Sequence, residues 1–223
     1  MHSILSFLET LEANNTTERM HAHQPEYKTA KQAALDLAQY AIDQITLFDN
    51  SIDAIEPKET LFRQAKDIRF SKDKSPYKTN MGIVIAPGGK KSIFPCYYIH
   101  LQPGNRSFLA GGLHCPEANV QHAIREYLST KHQSFTTIIT NEHFKTIRWT
   151  LHGDSYKKAP RGYESTHPAI ELIKQKERLF MHPLSDKSVL ENNFSVNSIA
   201  AFKLLYPVNH RLREAIITDM KNR

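Results

Sequence analysis

Between Arg63 and Lys78 the chain reads R-Q-A-K-D-I-R-F-S-K-D-K-S-P-Y-K, six basic residues against two acids, so four of the chain's six net positive charges fall in this one stretch. Each charge kept there repels its neighbours, which points to a surface that meets an anion. If Leu61 to Phe70 is extended, Arg63, Asp67 and Arg69 share one side of it. Asp67 then orients two guanidinium groups by charge-assisted hydrogen bonds, and the pair presents fixed forks to an oxyanion. Lys72 and Lys74 add flexible point charges from the adjoining turn. Ser75-Pro76-Tyr77 restricts the backbone before Lys78. The bland alternative is a surface strand and turn solvated by lysines, with an Arg-Asp pair holding the turn to the sheet. Ser71-Lys72-Asp73-Lys74 also fits an S-x-x-K pattern for an activated serine, but the companion S-D-N and K-T-G motifs are missing.

Other residue types invite chemistry farther along. Tyr98 and His100 fall on the same face of a strand-like run and can act as acid, base or hydrogen-bond donor if that face lines a cleft. Arg161-Gly162-Tyr163 offers a cation from a distant loop to the same anion; the alternative is a docked connection in which Tyr163 only packs. Cys96, His100, His114 and Cys115 are zinc-ligand types. Cys96 and His100 on one strand lie about 13 Å apart, however, and adjacent His114 and Cys115 point to opposite faces if extended. No metal site is therefore expected, and the cysteines read as buried structural thiols. Gly111-Gly112 places backbone N-H groups shortly before Pro116, where a helix start can hold an anion; a bulge or tight bend is the favoured reading.

The elements that must position these residues follow from periodicity. Ile4, Leu5, Phe7, Leu8 and Leu11 define a short helix that stops before Asn14-Asn15. From Pro25 onward Tyr27, Ala30, Ala34, Ala38, Ala41, Ile45 and Phe48 form the stripe of a longer helix, with Lys28, Lys31 and Asp36 facing water. The period then changes. Met81 to Ala86, Ile93 to Gln102 and Arg106 to Leu113 read as antiparallel strands joined at Pro87-Gly88-Gly89 and Pro103-Gly104-Asn105. Tyr97, Ile99 and Leu101 share one face of the middle strand, and Cys96, Tyr98, His100 and Gln102 the other. Pro116 fits the first turn of a helix carrying Val120, Ala123, Ile124, Tyr127 and Leu128. Ser134 to Trp149 is open between a strand, for the β-branched Thr136 to Thr140, and a short helix carrying Phe144, Ile147 and Arg148, with helix favoured. Pro168 fits the first position of a helix over Ala169 to Lys176, and a short strand from Leu179 to His182 precedes two closing helices separated at Pro207.

Composition sets the outer bounds. A chain of 223 residues with 40% apolar content suits one domain with one substantial core. The net charge of +6 and pI near 9.2 favour anionic partners. Two cysteines are too few for a disulfide scaffold, which makes a reducing compartment the default. Glu9 and Glu12 interrupt the apolar start, and no later run reaches membrane-spanning length, so a cytoplasmic protein without a membrane partner is expected.

Four strings carry a resemblance that spans nearly the whole chain. They are F-R-x-x-K-D-x-R-F-S-K-D-K-S-P-Y-K from Phe62 to Lys78, Y-I-H-L-Q-P-G from Tyr98 to Gly104, G-G-L from Gly111 to Leu113 and P-R-G-Y-x-x-x-H-P from Pro160 to Pro168. They resemble domain-of-unknown-function family twenty-four sixty-one, which brings no reaction, substrate or cofactor with it. The chain departs from the family where an aromatic pair commonly follows the Asn-Asn: here Asn14-Asn15 leads to Glu18-Arg19-Met20. Ala65-Lys66 likewise replaces a usual Tyr-Arg. If those positions line a pocket, this chain's pocket is altered.

The expected fold is a single α+β domain over residues 1–223, with a mainly antiparallel central sheet, built from about Leu61 to Leu113, covered by amino- and carboxy-terminal helices. The first functional reading is binding, with processing an open question, of a small phosphorylated or carboxylated ligand by Arg63, Asp67, Arg69, Lys72, Lys74, Tyr77 and Lys78, joined by Tyr98, His100 and Arg161. The second is a nucleic-acid-binding module in which the same cations contact phosphates and Phe70 or Tyr77 stacks on bases. A protein-interaction domain using a strand edge or helix face is the third. No residue pattern fixes a nucleophile, a cofactor or an oligomeric state.

Overall fold

The computed structural model describes residues 1–222. The chain opens with α1 (His2–Ala13), α2 (Thr17–Ala22), α3 (Gln24–Thr46) and α4 (Pro57–Thr60). Strands β1 (Met81–Ile85), β2 (Cys96–Leu101) and β3 (Ser107–Leu113) follow. Next come α5 (Ala118–Thr140), α6 (Glu142–Thr146), β4 (Thr150–His152), α7 (Ile170–Ile173) and β5 (Arg178–Leu184). The chain closes with α8 (Asp186–Leu190) and α9 (Phe194–Lys221). The five strands form one antiparallel sheet in the order β1-β2-β3-β5-β4, an α+β arrangement with helices at both ends of the chain. Burial alternates along β2, with Tyr97, Ile99 and Leu101 inward, as the side-chain pattern requires.

The chain divides into two compact units. The first comprises Met1–Lys90, Tyr98–Leu109 and Pro183–Ile199. Its helical layer is α1 packed on α3, where Ile4, Leu8 and Leu11 face the alanine stripe Ala30, Ala34, Ala38 and Ala41. Small residues on one helix let large ones on the other approach closely. Thr16 caps α2 by accepting from the Arg19 N-H at 3.1 Å, and Glu56 and Glu59 form a capping box on α4. Asp186 accepts from the Gly104 and Asn105 N-H groups at 2.8 and 3.0 Å, fixing the β2–β3 turn.

The second unit comprises Lys91–Tyr97, Ala110–His182 and Ala200–Arg223. Its core contains Phe135, Phe144 and Phe180, with the latter two edge-to-face at 5.4 Å, and the buried face of α9, where Phe202 meets Tyr97 at 5.3 Å. Arg178 is 0% exposed. Its guanidinium donates to Gln121 Oε1 on α5 and to the Leu172 carbonyl on α7 at 3.0 Å, so one β5 side chain ties both helices. No carboxylate among the described residues pairs with it. Burial and the neighbouring Arg125 charge push it down to about 9, which leaves it protonated at neutral pH.

Several expectations are corrected. The sheet is not confined to Leu61 to Leu113, because β4 and β5 complete it in the register Thr150↔Met181, Leu151↔Phe180, His152↔Leu179. Leu61 to Phe70 is irregular and joins the neighbouring chain only through the bridges Leu61↔Ile83 and Ala65↔Tyr77. Asp67 Oδ1 accepts from the Arg69 N-H and Asp73 Oδ1 from the Ser75 N-H, and such local bonds compete with a strand ladder. Pro116 precedes the helix cap Glu117, and the helix after Pro168 is a single turn. Pro207 does not divide the closing segment: α9 runs through it. Phe202, Leu205, Val208 and Leu212 are all 0% exposed. Burying each contributes roughly 1.5–3 kcal/mol, and together they exceed the roughly 3 kcal/mol cost of an interior proline.

Candidate functional site

The basic segment closes on itself before it meets anything else. Lys66 N-H donates to the Pro76 carbonyl at 2.9 Å and Lys78 N-H to the Gln64 carbonyl at 2.8 Å, so residues 67–75 hang as a loop from a two-stranded neck. Within the loop Arg69 grips Asp67 with two parallel bonds, Nε to Oδ1 at 2.9 Å and Nη2 to Oδ2 at 2.6 Å. Lys66 Nζ bonds Asp73 at 2.5 Å and Ser75 Oγ at 3.0 Å, and Lys74 Nζ bonds the Ile68 carbonyl at 2.9 Å. The Lys66 ammonium, with the Ser75 N-H and hydroxyl behind it, holds the Asp73 carboxyl well below the usual carboxylate range. Asp67 orients one arginine, Arg69; Arg63 acts on it only through its charge. Lys74, bonded to Ile68, does not serve Ser71 as a base. Lys72 is exposed.

The neck faces a cavity of about 480 Å³ in the first unit, within the roughly 300–1,000 Å³ common for small-ligand sites. Lys31 of α3, Lys58 of α4, Arg63 and Lys90 line it, together with Tyr27, Tyr77 and the apolar side chains of Met20, Leu35, Leu61, Phe62 and Met81. No aspartate or glutamate is among the described residues that line it. Lys58 has Glu56 at 2.5 Å and Lys90 donates to the Leu61 carbonyl at 2.8 Å. No carboxylate among the described residues pairs with Arg63 or Lys31. Lys78 lies 5.3 Å over the Phe62 ring, and burial, then the Arg63 charge, lower its affinity for a proton. Tyr77 is fixed by a reciprocal pair of bonds: Asn15 Nδ2 donates to its carbonyl at 2.9 Å and its N-H donates to Asn15 Oδ1 at 3.1 Å.

Of the residues singled out in the sequence, Arg63 and Tyr77 line this cavity. Arg69, Lys72 and Lys74 belong to the loop, and Lys78 stands beside Phe62 at the neck. Tyr98 meets Phe62 edge-on at 6.3 Å and does not line the cavity itself. It begins a polar chain: Tyr98 OH to His100 Nδ1 at 3.0 Å, His100 Nε2 to Gln102 Oε1 at 3.0 Å, and Gln102 Nε2 to Thr79 Oγ1 at 3.3 Å. His100 stacks on Phe108 at 4.4 Å, and burial favours its neutral form. The Tyr98 ring needs Gly82 beneath it, since a Cβ there would stand 2.4 Å from the hydroxyl. Arg161 is exposed in the second unit; the nearby Tyr163 hydroxyl donates to Glu126 at 2.6 Å, which docks that loop, and burial, then this bond, pushes the phenol up.

Sequence reasoning missed Lys31, Lys58, Lys90 and Tyr27. Lys31 is exposed, as the helix pattern expects, and Tyr27, Lys31 and Leu35 recur at four-residue steps on α3, a spacing that puts them on one edge of the helix. It also misread His114 and Cys115, which are not extended: Cys115 has φ +44°.

A five-stranded antiparallel sheet with terminal helices defines an α+β protein whose signature segment contributes Arg63, Gln64, Ala65 and Tyr77 to a cation-lined recess of the first unit. Over residues 3–210 the chain matches, and belongs to, the family described as "Conserved hypothetical protein (DUF2461)". No curated protein and no solved structure matches it.

Proposed function

We propose that the first unit binds a small phosphorylated or carboxylated ligand that also carries an apolar or aromatic part. One observation carries the reading: four basic side chains and no acidic one line a cavity of ligand size. Arg63 and Lys31, without carboxylate partners among the described residues, supply the charge that meets the anion, and Arg63 offers a planar fork suited to phosphate or carboxylate. Tyr27 and Tyr77 add hydroxyls, and Leu61, Phe62 and Met81 receive the apolar part. Lys66, Arg69 and Lys74 act indirectly by holding the 67–75 loop closed. Ala65 and Met20 line the recess, and an aromatic side chain in place of Ala65 would narrow it.

The test is a thermal-shift series with inorganic phosphate, benzoate and phenyl phosphate. A ligand that binds only the folded protein stabilises it by about 2.7 kcal/mol at a hundredfold excess over Kd. Phenyl phosphate is expected to raise Tm most, and a series in which none of the three raises it refutes the reading. Phe70, 95% exposed with the Arg69 guanidinium 5.9 Å from its ring, favours a second reading, stacking on single-stranded nucleic acid. Oligonucleotide affinity that falls steeply with salt and drops in Phe70→Ala supports it; no binding at low salt removes it.

A further inference from the structure

In the second unit the loop after β3 and the residue before β5 bring together three side chains of metal-ligating type. His114, Cys115 and Glu177 each offer one ligand atom, and these atoms lie within 4.8 Å of one another. His114 Nδ1 is 3.1 Å from Glu177 Oε2, Cys115 Sγ is 3.1 Å from Glu177 Oε1, and the same sulfur lies 3.9 and 3.7 Å from His114 Nδ1 and Nε2. Ligands bound to zinc at about 2.0–2.3 Å in a tetrahedron stand about 3.3–3.6 Å apart. The two 3.1 Å contacts reach different oxygens of Glu177, so the set of one atom per residue, within 4.8 Å throughout, closes to a triangle of that size by a small side-chain adjustment.

The backbone builds this triangle at a cost. Adjacent residues of an extended chain point to opposite faces, but Cys115 adopts φ +44°, a left-handed conformation that a residue with a Cβ rarely takes, and its thiol comes to the same side as the His114 ring. Gly153, at φ +108°, clears the space for Glu177, since a Cβ there would stand 3.2 Å from the glutamate Cβ and 3.3 Å from its carboxylate oxygen. The Glu177 side chain is only 17% exposed. Its partners among the described residues are a thiol and an imidazole, with no lysine or arginine.

We propose that His114, Cys115 and Glu177 form a binding site for a zinc-class divalent cation. A sulfur and a nitrogen ligand select such an ion over magnesium and calcium, which take oxygen ligands. Three protein ligands leave one tetrahedral position open, and because His114 and Cys115 are exposed that position faces solvent. This is the coordination of a site that acts on a further ligand, a water or an anionic group, in contrast to the closed four-ligand sites that only brace a fold.

The experiment is titration of the chelator-treated, reduced full chain with Co²⁺, followed by displacement with Zn²⁺. One Co²⁺ per chain is expected, with a thiolate-to-metal charge-transfer band and visible bands of tetrahedral intensity that Zn²⁺ abolishes. Cys115→Ser is expected to lose the charge-transfer band. His114→Ala and Glu177→Gln are expected to weaken Co²⁺ binding by more than about tenfold, the scale on which even outer-shell partners act. His114 and Cys115 are exposed, so melting of the metal-free variants should match the parent, and these two carry the test if Glu177→Gln melts lower. A titration without a thiolate band, a band that survives Cys115→Ser, or equal affinity in the parent, Cys115→Ser and His114→Ala overturns the proposal.

Discussion

The loop at residues 67–75 and the buried β3–β5 corner of the second unit use charge in opposite ways. The loop is crowded with charges and pairs them internally: Arg69 with Asp67, Lys66 with Asp73, Lys74 with a backbone carbonyl. The corner is built from single residues far apart in sequence, where Arg178 is sealed from water with only neutral acceptors and Gly112 packs against its carbonyl. Density of charge in a sequence is therefore a poor guide to what each charge does. A solvated pair contributes little to stability, while a lone buried cation and its acceptors stand or fall together.

Mutations can break this contrast, the largest effect first. A Cβ on Gly112, which has φ +109°, would lie 2.0 Å from the Arg178 carbonyl oxygen, so a strand or its neighbour must move. Gly112→Ala is expected to lower stability by more than about 4 kcal/mol, the range reserved for forced backbone strain, and urea unfolding measures it. Arg178→Met removes the guanidinium and leaves Gln121 Oε1 without its donor, while the Leu172 carbonyl keeps the Gln175 N-H at 3.3 Å; a loss of about 1–3 kcal/mol is expected from the unsatisfied acceptor. Asn15→Ala removes both bonds to the Tyr77 backbone and is expected to cost about 1–2 kcal/mol. A Gly112→Ala protein as stable as the parent would break the comparison at its strong end.

A pH experiment sharpens it. Burial lowers the His100 pKa below its ordinary 6.5. The unfolded chain thus binds the proton more readily, so His100 contributes stability that is complete above pH 6.5 and is lost as pH falls from there through the folded-state value. His182 is shifted the same way by burial and adds to the slope. His100→Gln should flatten the acid-side slope by at most about 1.4 kcal/mol per pH unit, one proton's worth. An unchanged slope would show that burial does not hold the ring neutral. At the weak end, Arg69→Ala should leave Tm unchanged within measurement, because its pair with Asp67 is solvated.

Much of the fold is legible from pattern. The alternation in β2, the alanine stripe of α3 and the turn signals at Pro103-Gly104-Asn105 are local, and local structure follows them. The strand at Leu179 to His182 is legible and lies within β5, but its place in the sheet is not, because β5 joins beside β3 through pairing that no nearby residue announces. Pro207 misleads for a related reason: burial on both sides of it outweighs a local penalty. For the candidate site, the sequence supplies Arg63 and Tyr77 but conceals Lys31, Lys58 and Lys90, which arrive from three other segments. It also overstates Arg69 and Lys74, since nothing in their spacing reveals that Asp67 and the Ile68 carbonyl already hold them.

The central claim is that the unpaired cations of the neck and α3, and not the crowded loop, receive an anion. Calorimetric titration of phenyl phosphate into the parent, Arg63→Ala and Arg69→Ala proteins tests it most directly. One site is expected, weakened by at least about tenfold in Arg63→Ala, a 1.4 kcal/mol change, and close to the parent in Arg69→Ala. Absence of binding to the parent, or equal affinity in parent and Arg63→Ala, would contradict the account.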